Sequence, residues 1–386
     1  MQSFPVFSTV SKLHVVFCRS LLSTIAMCGT KFEYSARELV DMPTQTRGRL
    51  AGRKWLPGAL RAGSKFPEYV PNPRENFPAF YRANASVAGC TPIRDFAKDV
   101  REIIERELHV HGALLFRGLP LKNGNDFSKF MRRLKDSLMR YEGGTAVRHE
   151  VAGSVYTASN DPPEYSIEPH NEMAYSDQHP LKVFFFCDVP ALPGHGGESV
   201  ITDVRQVSKK LDSEVVKNFK RLGIRYCRHL PTKKPGGYTS WQQIFNTEDK
   251  AYVEQYMAKH ERSYRWESDG ALTSWFRRPA FRNHPITGEE VWFNQVHSQN
   301  ATYFQDHPLW AHLDIPSIKY PSNSYYGDGS EIEEDFLQHI REVLWEESVG
   351  FQMQKGDVLI HDNVFVGHAR LGFTGKRKLL VSLSKD

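Results

Sequence analysis

A histidine and a glutamate stand two residues apart in the segment Pro169-His170-Asn171-Glu172-Met173. On an extended strand, residues i and i+2 point to the same face, so the imidazole of His170 and the carboxylate of Glu172 can bind one divalent ion. Two ligands are too few for a catalytic metal site. His368, which follows a predicted strand at residues 358–360, is the candidate for the third ligand.

Two histidines and one carboxylate on one face of an octahedron leave three positions open, which is typical of non-haem Fe(II) oxygenases. Zinc is less suited, because structural zinc sites close a tetrahedron and commonly include thiolates, and no cysteine lies near these segments. The pair alone leaves an alternative open. The chain has 16 histidines, so a His-x-Glu pair can also be two ordinary strand residues.

An arginine nine residues after His368 favours the metal interpretation. Arg377 begins the predicted strand that ends at residue 383 and is expected to face back into the interior, where a guanidinium can hold a carboxylate through two parallel hydrogen bonds. This suits a cosubstrate with a distal carboxylate whose other end chelates iron. Lys376 and Lys378 are interpreted as parts of a solvated hairpin, although Lys378 competes with Arg377 for the inward position.

The predicted elements change in character along the chain. Helices are expected early and as insertions, whereas short β-branched or aromatic strands, bounded by Gly, Pro, Asn or Asp, dominate after residue 144. Because the strands do not alternate regularly with helices, the pattern argues against a doubly wound parallel sheet. The pattern predicts a mainly β fold with flanking helices around a double-stranded β-helix, that is, a cupin-like jelly roll.

We expect one domain over residues 36–386, with a helical insertion near residues 227–290 that covers the pocket as a lid. Residues 1–30 contain no Asp or Glu but include basic residues and several Ser and Thr, a composition that suits a mitochondrial transit peptide. The alternative is a flexible leader before a start at Met27. Arg19 interrupts the apolar residues of this leader, so no transmembrane helix is predicted.

Charge and cysteine usage exclude several classes of protein. The 386-residue chain has 50 basic and 45 acidic residues and no run of five or six like charges, which argues against a nucleic acid or a membrane surface as partner. Its five cysteines are odd in number, widely spaced and without a C-x-x-C motif, which argues against a disulfide framework. We therefore expect a reducing compartment, cytoplasmic or mitochondrial, and not secretion.

The chain resembles the taurine dioxygenase (TauD/TfdA-like) and clavaminate synthase-like family of Fe(II)/2-oxoglutarate-dependent oxygenases. The matching segments run in the family's order from about residue 110 to the C-terminus. The likeness is greatest to the clavaminate synthase-like members, which also carry Glu as the metal-binding carboxylate. The segments are residues 112–118, 156–163, 169–173, 196–199, 292–294, 326–329, 356–363, 368–370 and 377–379.

This resemblance implies the cofactors and the residues that hold them. Fe(II) would be bound by His170, Glu172 and His368, and the distal carboxylate of 2-oxoglutarate by Arg377. Ser199 stands where the family usually has a threonine that helps to bind that carboxylate, so a hydroxyl is retained. Dioxygen would be the third reactant.

The resemblance also implies the type of reaction. 2-Oxoglutarate would be converted to succinate and carbon dioxide while a small amino-acid-like substrate is hydroxylated or desaturated. Halogenation is disfavoured, because Glu172 occupies the position that a halogenase leaves for chloride. Asn160 and Asn294 match positions near the substrate pocket, and Arg148 is a candidate for an anionic group of the substrate.

Two alternatives remain at this point: a catalytically inactive jelly-roll binding protein, and a cupin-type enzyme that uses another metal. An inactive relative would be expected to lose a metal ligand or the cosubstrate arginine. An enzyme with another metal would have no reason to keep Arg377 on the next strand. Neither the identity of the substrate nor the oligomeric state follows from the sequence.

Overall fold

The computed structural model describes residues 31–39, 56–89, 91–134, 137–141, 148–159, 161–234, 240–308 and 310–386. The leader at residues 1–30 lies outside this range. The N-terminal part contributes three strands and three helices, of which α2 is the longest. They are β1 (Phe32–Ser35), β2 (Ala79–Ala83), α1 (Ala85–Ala88), α2 (Ile93–His111), β3 (Ala113–Arg117) and α3 (Gly124–Leu134).

Strands dominate the rest of the chain, as the sequence predicts. The first group is β4 (Tyr156–Thr157), β5 (Ile167–His170), β6 (Lys182–Val189), β7 (Ser199–Asp203), α4 (Val204–Lys210), α5 (Ser213–Leu222), β8 (Ile224–Leu230), α6 (Trp241–Phe245), α7 (Lys250–Lys259), β9 (Ser263–Trp266) and β10 (Leu272–Arg278). The second group is β11 (Phe281–Asn283), β12 (Glu290–Trp292), α8 (Ala301–Gln305), a 3-10 helix (Ser317–Lys319), β13 (Ser322–Tyr326), α9 (Glu334–Glu346), β14 (Ser348–Phe351), β15 (Val358–Asp362), β16 (Val366–Arg370) and β17 (Lys378–Ser384).

Two sheets form the core of the molecule. One has the strand order β1-β2-β3-β15-β6-β17-β4 and the other the order β14-β7-β16-β5. Neighbouring strands in both sheets are antiparallel, except for the parallel pair β2 and β3. Non-consecutive neighbours of this kind are the signature of a jelly roll. The prediction of a mainly β, double-stranded β-helix fold with flanking helices is confirmed.

The side chains of β6 point alternately into two different cores and so connect the two sheets with the helices outside them. Val183 and Phe185 point into the core that is shared with the second sheet, whereas Phe184 and Phe186 point into a separate core packed under helices α2 and α3. A strand buried on both faces carries a nearly continuous apolar run, which is what β6 shows. The helices therefore cover the outer face of the large sheet and leave the space between the two sheets for a site.

The segment at residues 227–290 differs from the predicted helical insertion. Its described part contains the short helices α6 and α7, but it is organised around a third sheet with the order β13-β8-β10-β9. Trp241, Val253 and Met257 pack on this sheet with Leu230 and Leu272 as a small core of their own. The strands β8, β9 and β10 therefore determine the structure of this segment more than its two helices do. Among the described residues, no helix is long and apolar enough to cross a membrane.

A buried ion pair joins β3 to the turn before β15. Arg117 donates from Nε and Nη2 to the two carboxylate oxygens of Asp357 at 2.9 and 2.7 Å, and both side chains are buried. Such a bidentate pair fixes the register of two neighbouring strands, because both partners must align. Arg117 is therefore occupied within the scaffold.

We expect Arg117→Met to lower the free energy of unfolding by about 3–5 kcal/mol, because the Asp357 carboxylate would be left buried without its counter-charge. Urea unfolding followed by circular dichroism measures the change. Arg265→Met, which removes an exposed pair with Glu267 on β9, is the control and should cost less than about 1 kcal/mol. Equal costs for the two variants would contradict this interpretation of the buried pair.

Candidate metal centre and adjoining cavity

The structure brings the three predicted metal ligands together. His170 ends β5 and is directly paired with His368 on β16, with their ring centroids 4.3 Å apart. Nε2 of His368 lies 3.4 Å from Oε2 of Glu172. One ligating atom from each of the three residues lies within 4.8 Å of the other two. This spacing is compatible with a single ion shared by all three side chains.

The imidazole of His170 is oriented by its second nitrogen. Nδ1 lies 2.8 Å from the carbonyl oxygen of Glu168, and this contact requires a proton on Nδ1, so Nε2 carries the free lone pair. Burial, and next the neighbouring His368, lower the pKa of His170 to about 4. The ring is therefore neutral near pH 7, which is the form that binds a metal.

Glu172 lies in a turn after β5, so the expectation that it shares a strand with His170 is wrong. The backbone of Glu172 is held by the amide of Asn363, which follows β15. Oδ1 of Asn363 accepts from the Glu172 N–H at 2.7 Å, and its Nδ2 donates to the Glu172 carbonyl oxygen at 2.9 Å. The turn passes through Met173, whose φ of +53° is in the left-handed region. The carboxylate reaches the histidines because Asn363 stabilises this turn.

An arginine compensates the charge of the buried carboxylate. Nη2 of Arg148 donates to Oε2 of Glu172 at 2.8 Å, and both side chains are buried. Burial alone would raise the pKa of Glu172, but Arg148 and next His368 outweigh burial and hold that pKa well below its usual range. Glu172 is thus an ionised ligand at neutral pH.

The donor set fits Fe(II). Two neutral imidazoles and one ionised carboxylate are the ligands of the facial arrangement that leaves positions open for other molecules. Of the described cysteines, Cys187 and Cys227 are buried free thiols, and burial raises the pKa of Cys187 to about 12. Neither provides the thiolate that a structural zinc site would favour.

A cavity of about 670 Å³ adjoins the three ligands. Its walls come from β4, β5, β6, β7, β15, β16 and β17, so it lies between the two sheets. His170 and His368 form part of the wall, together with Arg148, Ser199 and Arg377. Such a volume is in the usual range for a site that binds small molecules.

Arg377 is a partly buried cation in this cavity. Its Nη2 donates to Oγ of Ser199 at 3.2 Å, and no carboxylate among the described residues forms an ion pair with it. Burial, and next the nearby Arg370, lower the pKa of Arg377 to about 10. The Nζ of Lys378 lies 2.9 Å from Asp188 instead, so Arg377 is the inward side chain of the two. The arrangement leaves Arg377 and Ser199 available to an anion.

Asn294, another predicted substrate residue, does not line the cavity. Nδ2 of Asn294 donates to the carbonyl oxygen of Ala280 at 2.9 Å, and its Oδ1 accepts from the N–H of Val296 at 2.9 Å. Its amide is therefore used within the scaffold, and the assignment of Asn294 to the pocket is not supported. Asn160 falls outside the described residues. No described residue of 227–290 lines the cavity, so its role as a lid stays a prediction.

The sequence does not predict the residues whose contacts support the metal ligands. Glu168 pairs with Arg341 of α9 at 2.9 Å, and both are buried. Arg341 also donates to the carbonyl oxygen of His297, whose Nε2 lies 2.8 Å from the carbonyl oxygen of Pro169. These contacts support the strand that presents His170. Asn363 lay in a segment that resembles the family, but its role had no signal in the sequence alone.

We expect Asn363→Ala to weaken Fe(II) binding by about 10- to 100-fold, because the turn that presents Glu172 would lose its side-chain support. Anaerobic titration with Fe(II) measures the affinity. Asn294→Ala is the matched control, since it also removes a buried amide bonded to backbone groups, but away from the ligands. A similar Fe(II) affinity in Asn363→Ala and the wild type would show that the turn does not depend on this amide.

The buried His297 predicts a pH dependence of stability. Burial, and next Arg341, lower the pKa of His297 to about 3, so the folded protein binds its proton less readily than the unfolded chain does. The contribution of neutral His297 to the free energy of unfolding is fully present above about pH 6.5. It is lost as the pH falls from there toward 3. Between pH 7 and pH 5 the metal-free wild type should lose about 2 kcal/mol more than His297→Gln. Parallel urea unfolding curves measure this difference, and an equal loss in both proteins would contradict it.

Several known proteins are similar to this chain. The model of the family described as taurine catabolism dioxygenase TauD, TfdA family matches residues 84–383. Dapdiamide synthesis protein DdaC of Enterobacter agglomerans is 36% identical over 284 residues, which cover 72% of this chain and 84% of that protein. A clavaminate synthase-like protein of Arabidopsis thaliana is 32% identical over 297 residues, covering 75% and 86%.

A solved structure with a similar chain path is that of an asparagine oxygenase in complex with Fe(II), 2S,3S-3-hydroxyasparagine and succinate. The TM-score is 0.46 and the sequence identity 13%. The alignment covers 75% of this chain and 79% of that chain.

Proposed function

Because the chain belongs to the TauD/TfdA family and is an Fe(II)- and 2-oxoglutarate-dependent dioxygenase, we propose that it hydroxylates or desaturates a small amino-acid-like substrate. The observation that carries the proposal is one shared cavity. Its wall includes two of the three candidate metal ligands and a partly buried arginine, Arg377, without an ion-pair partner among the described residues. Metal and cosubstrate can therefore meet in one place.

We assign metal binding to Nε2 of His170, Nε2 of His368 and the carboxylate of Glu172. Iron and 2-oxoglutarate, when bound, supply the oxidising chemistry, in which dioxygen decarboxylates 2-oxoglutarate to succinate and carbon dioxide as the substrate is oxidised. The chain itself supplies orientation and exclusion of water. The carboxylate ligand also favours hydroxylation or desaturation over halogenation.

We assign the distal carboxylate of 2-oxoglutarate to Arg377 and Ser199. The guanidinium and the hydroxyl already contact each other at 3.2 Å, so both can donate to one carboxylate. Phe185 and Leu379 line the same cavity and offer apolar contact to the methylene groups. Because Arg377 directly precedes β17, which pairs with β6 over seven residue positions, the sheet holds the adjoining backbone in place.

A small molecule suits the remaining space. A cavity of about 670 Å³ is larger than one five-carbon dicarboxylate requires, so substrate and cosubstrate can be present together. The relative from Enterobacter agglomerans is named for dapdiamide synthesis, which supports a small molecule over a macromolecule. The two buried free thiols among the described cysteines support the cytoplasm or the mitochondrion as the proposed compartment.

We expect the anaerobic protein to develop a visible charge-transfer band when Fe(II) and 2-oxoglutarate are added together. The band should be absent in His368→Ala, which lacks one ligand. In Arg377→Ala, the Kd for 2-oxoglutarate should rise about 100-fold, since a charge-assisted contact to a buried group is worth about 2–3 kcal/mol. An absorbance titration measures both effects.

Lys378→Met is the control for the arginine variant, because it removes a neighbouring cation that is paired with Asp188. Its Kd for 2-oxoglutarate should match that of the wild type. A folded wild-type protein that gives no band would contradict the proposed chemistry. An unchanged Kd in Arg377→Ala would contradict the assignment of the cosubstrate carboxylate.

A further inference from the structure

Arg148 has hydrogen-bonding capacity that the protein does not use. One of its nitrogens, Nη2, donates to Glu172 at 2.8 Å, and its guanidinium lies 4.4 Å from the ring centroid of Tyr141. Nε and Nη1 are buried and have no hydrogen-bond partner among the residues that the structure describes. Only 4% of the side chain is exposed, and it forms part of the wall of the cavity beside the metal ligands.

Unused donors of this kind are costly. A guanidinium carries five N–H groups, and each buried donor without an acceptor costs about 1–3 kcal/mol. Glu172 cannot accept from all of them, since its carboxylate must also face His170 and His368. Buried polar groups in folded proteins are nearly always paired. The two unpaired nitrogens, located in the wall of a cavity, therefore indicate an acceptor that arrives with a ligand.

A second cation lies on the same side of the site. The phenol groups of Tyr141 and Tyr175 interact electrostatically with both Arg148 and Arg228. Arg228 lines a small cavity together with Tyr175 and Arg262. Of the described residues that line this small cavity, two are cationic and none is acidic.

The charges of the loaded site lead to the same conclusion. Fe(II) with Arg148, Arg370 and Arg377 contributes five positive charges, whereas Glu172, Asp161 and the two carboxylates of 2-oxoglutarate contribute four negative charges. One positive charge is left over in a region where charges interact strongly because little water is present. A single carboxylate on the substrate would balance it.

We propose that Arg148 binds the carboxylate of the substrate and thereby determines substrate specificity. Nε and Nη1 donate to that carboxylate while Nη2 remains on Glu172. Because Glu172 is itself a metal ligand in the proposed function, on which this inference rests, the bound carboxylate lies close to the metal. Oxidation then falls on a carbon near the carboxylate.

The probes for the test are the proteinogenic L-amino acids and their primary amides, which differ only in the charge and acceptor strength of one group. Binding to the anaerobic protein loaded with Fe(II) and 2-oxoglutarate is followed by perturbation of the visible band and by thermal shift. We expect at least one acid to bind the wild type at least about 30-fold more tightly than its amide, the effect of a charge-assisted contact.

Three variants make the result specific to Arg148. Arg148→Gln should bind the acid and the amide with equal affinity when both are measured at Fe(II) and 2-oxoglutarate concentrations that saturate this variant. Arg148→Lys keeps the charge beside Glu172 and should show a reduced preference for the acid, which covers the case in which the glutamine variant does not fold. Lys378→Met removes a charge from the same cavity and should keep the full preference.

Other results overturn the inference. If no acid binds the wild type, or if acid and amide bind equally, Arg148 does not recognise a substrate carboxylate. A loss of 2-oxoglutarate affinity in Arg148→Gln, with the acid preference retained, would assign Arg148 to the keto-acid end of the cosubstrate instead. These outcomes are distinct from failure of the proposed function, in which the wild type gives no visible band before any amino acid is added.

Discussion

The site depends on keeping the carboxylate of Glu172 ionised inside a β-barrel. Moving a lone carboxylate out of water is costly and would normally raise its pKa until it becomes neutral. Arg148 prevents this by donating at 2.8 Å, and Asn363 holds the backbone of the same residue from across the barrel. Burial lowers the pKa of His170, so a neutral imidazole can stand beside the ionised carboxylate as a metal ligand.

The jelly roll positions these groups through strand pairing. Direct pairing of β5 with β16 places the two imidazoles 4.3 Å apart, and the pairing of β17 with β6 holds Arg377 across the cavity from the opposing sheet. Side chains alternate between the two faces of each strand. The inner faces of the sheets therefore surround the site, and the outer face of the large sheet packs against helices α2 and α3. The scaffold is rigid where ligands must be held in fixed positions.

The sequence predicts those parts of the site whose signal is local. The spacing of His170 and Glu172, the later His368 and the following Arg377 are enough to predict a metal and a carboxylate site, and alternation predicts the β fold. Contacts between distant residues have no such signal. Asn363 supports Glu172 from 191 positions away, which moves the glutamate from the expected strand into a turn.

The same limit applies at other positions. Asn294 matches a pocket position in the family's order, but its amide is bonded to Ala280 and Val296, and no pattern in the sequence shows that. For the predicted helical lid at residues 227–290, the sequence does not indicate which surface the apolar face of the segment packs on. In the structure, the described part of that face packs on its own sheet.

The central claim is that two imidazoles and one carboxylate of this chain hold one iron. Iron K-edge X-ray absorption of the Fe(II)-loaded protein tests it directly, because multiple scattering from imidazole rings counts the histidine ligands. Two imidazoles with oxygen ligands in the wild type, and one imidazole in His368→Ala, are the predicted result. A spectrum without imidazole scattering, or one that His368→Ala leaves unchanged, would contradict the account.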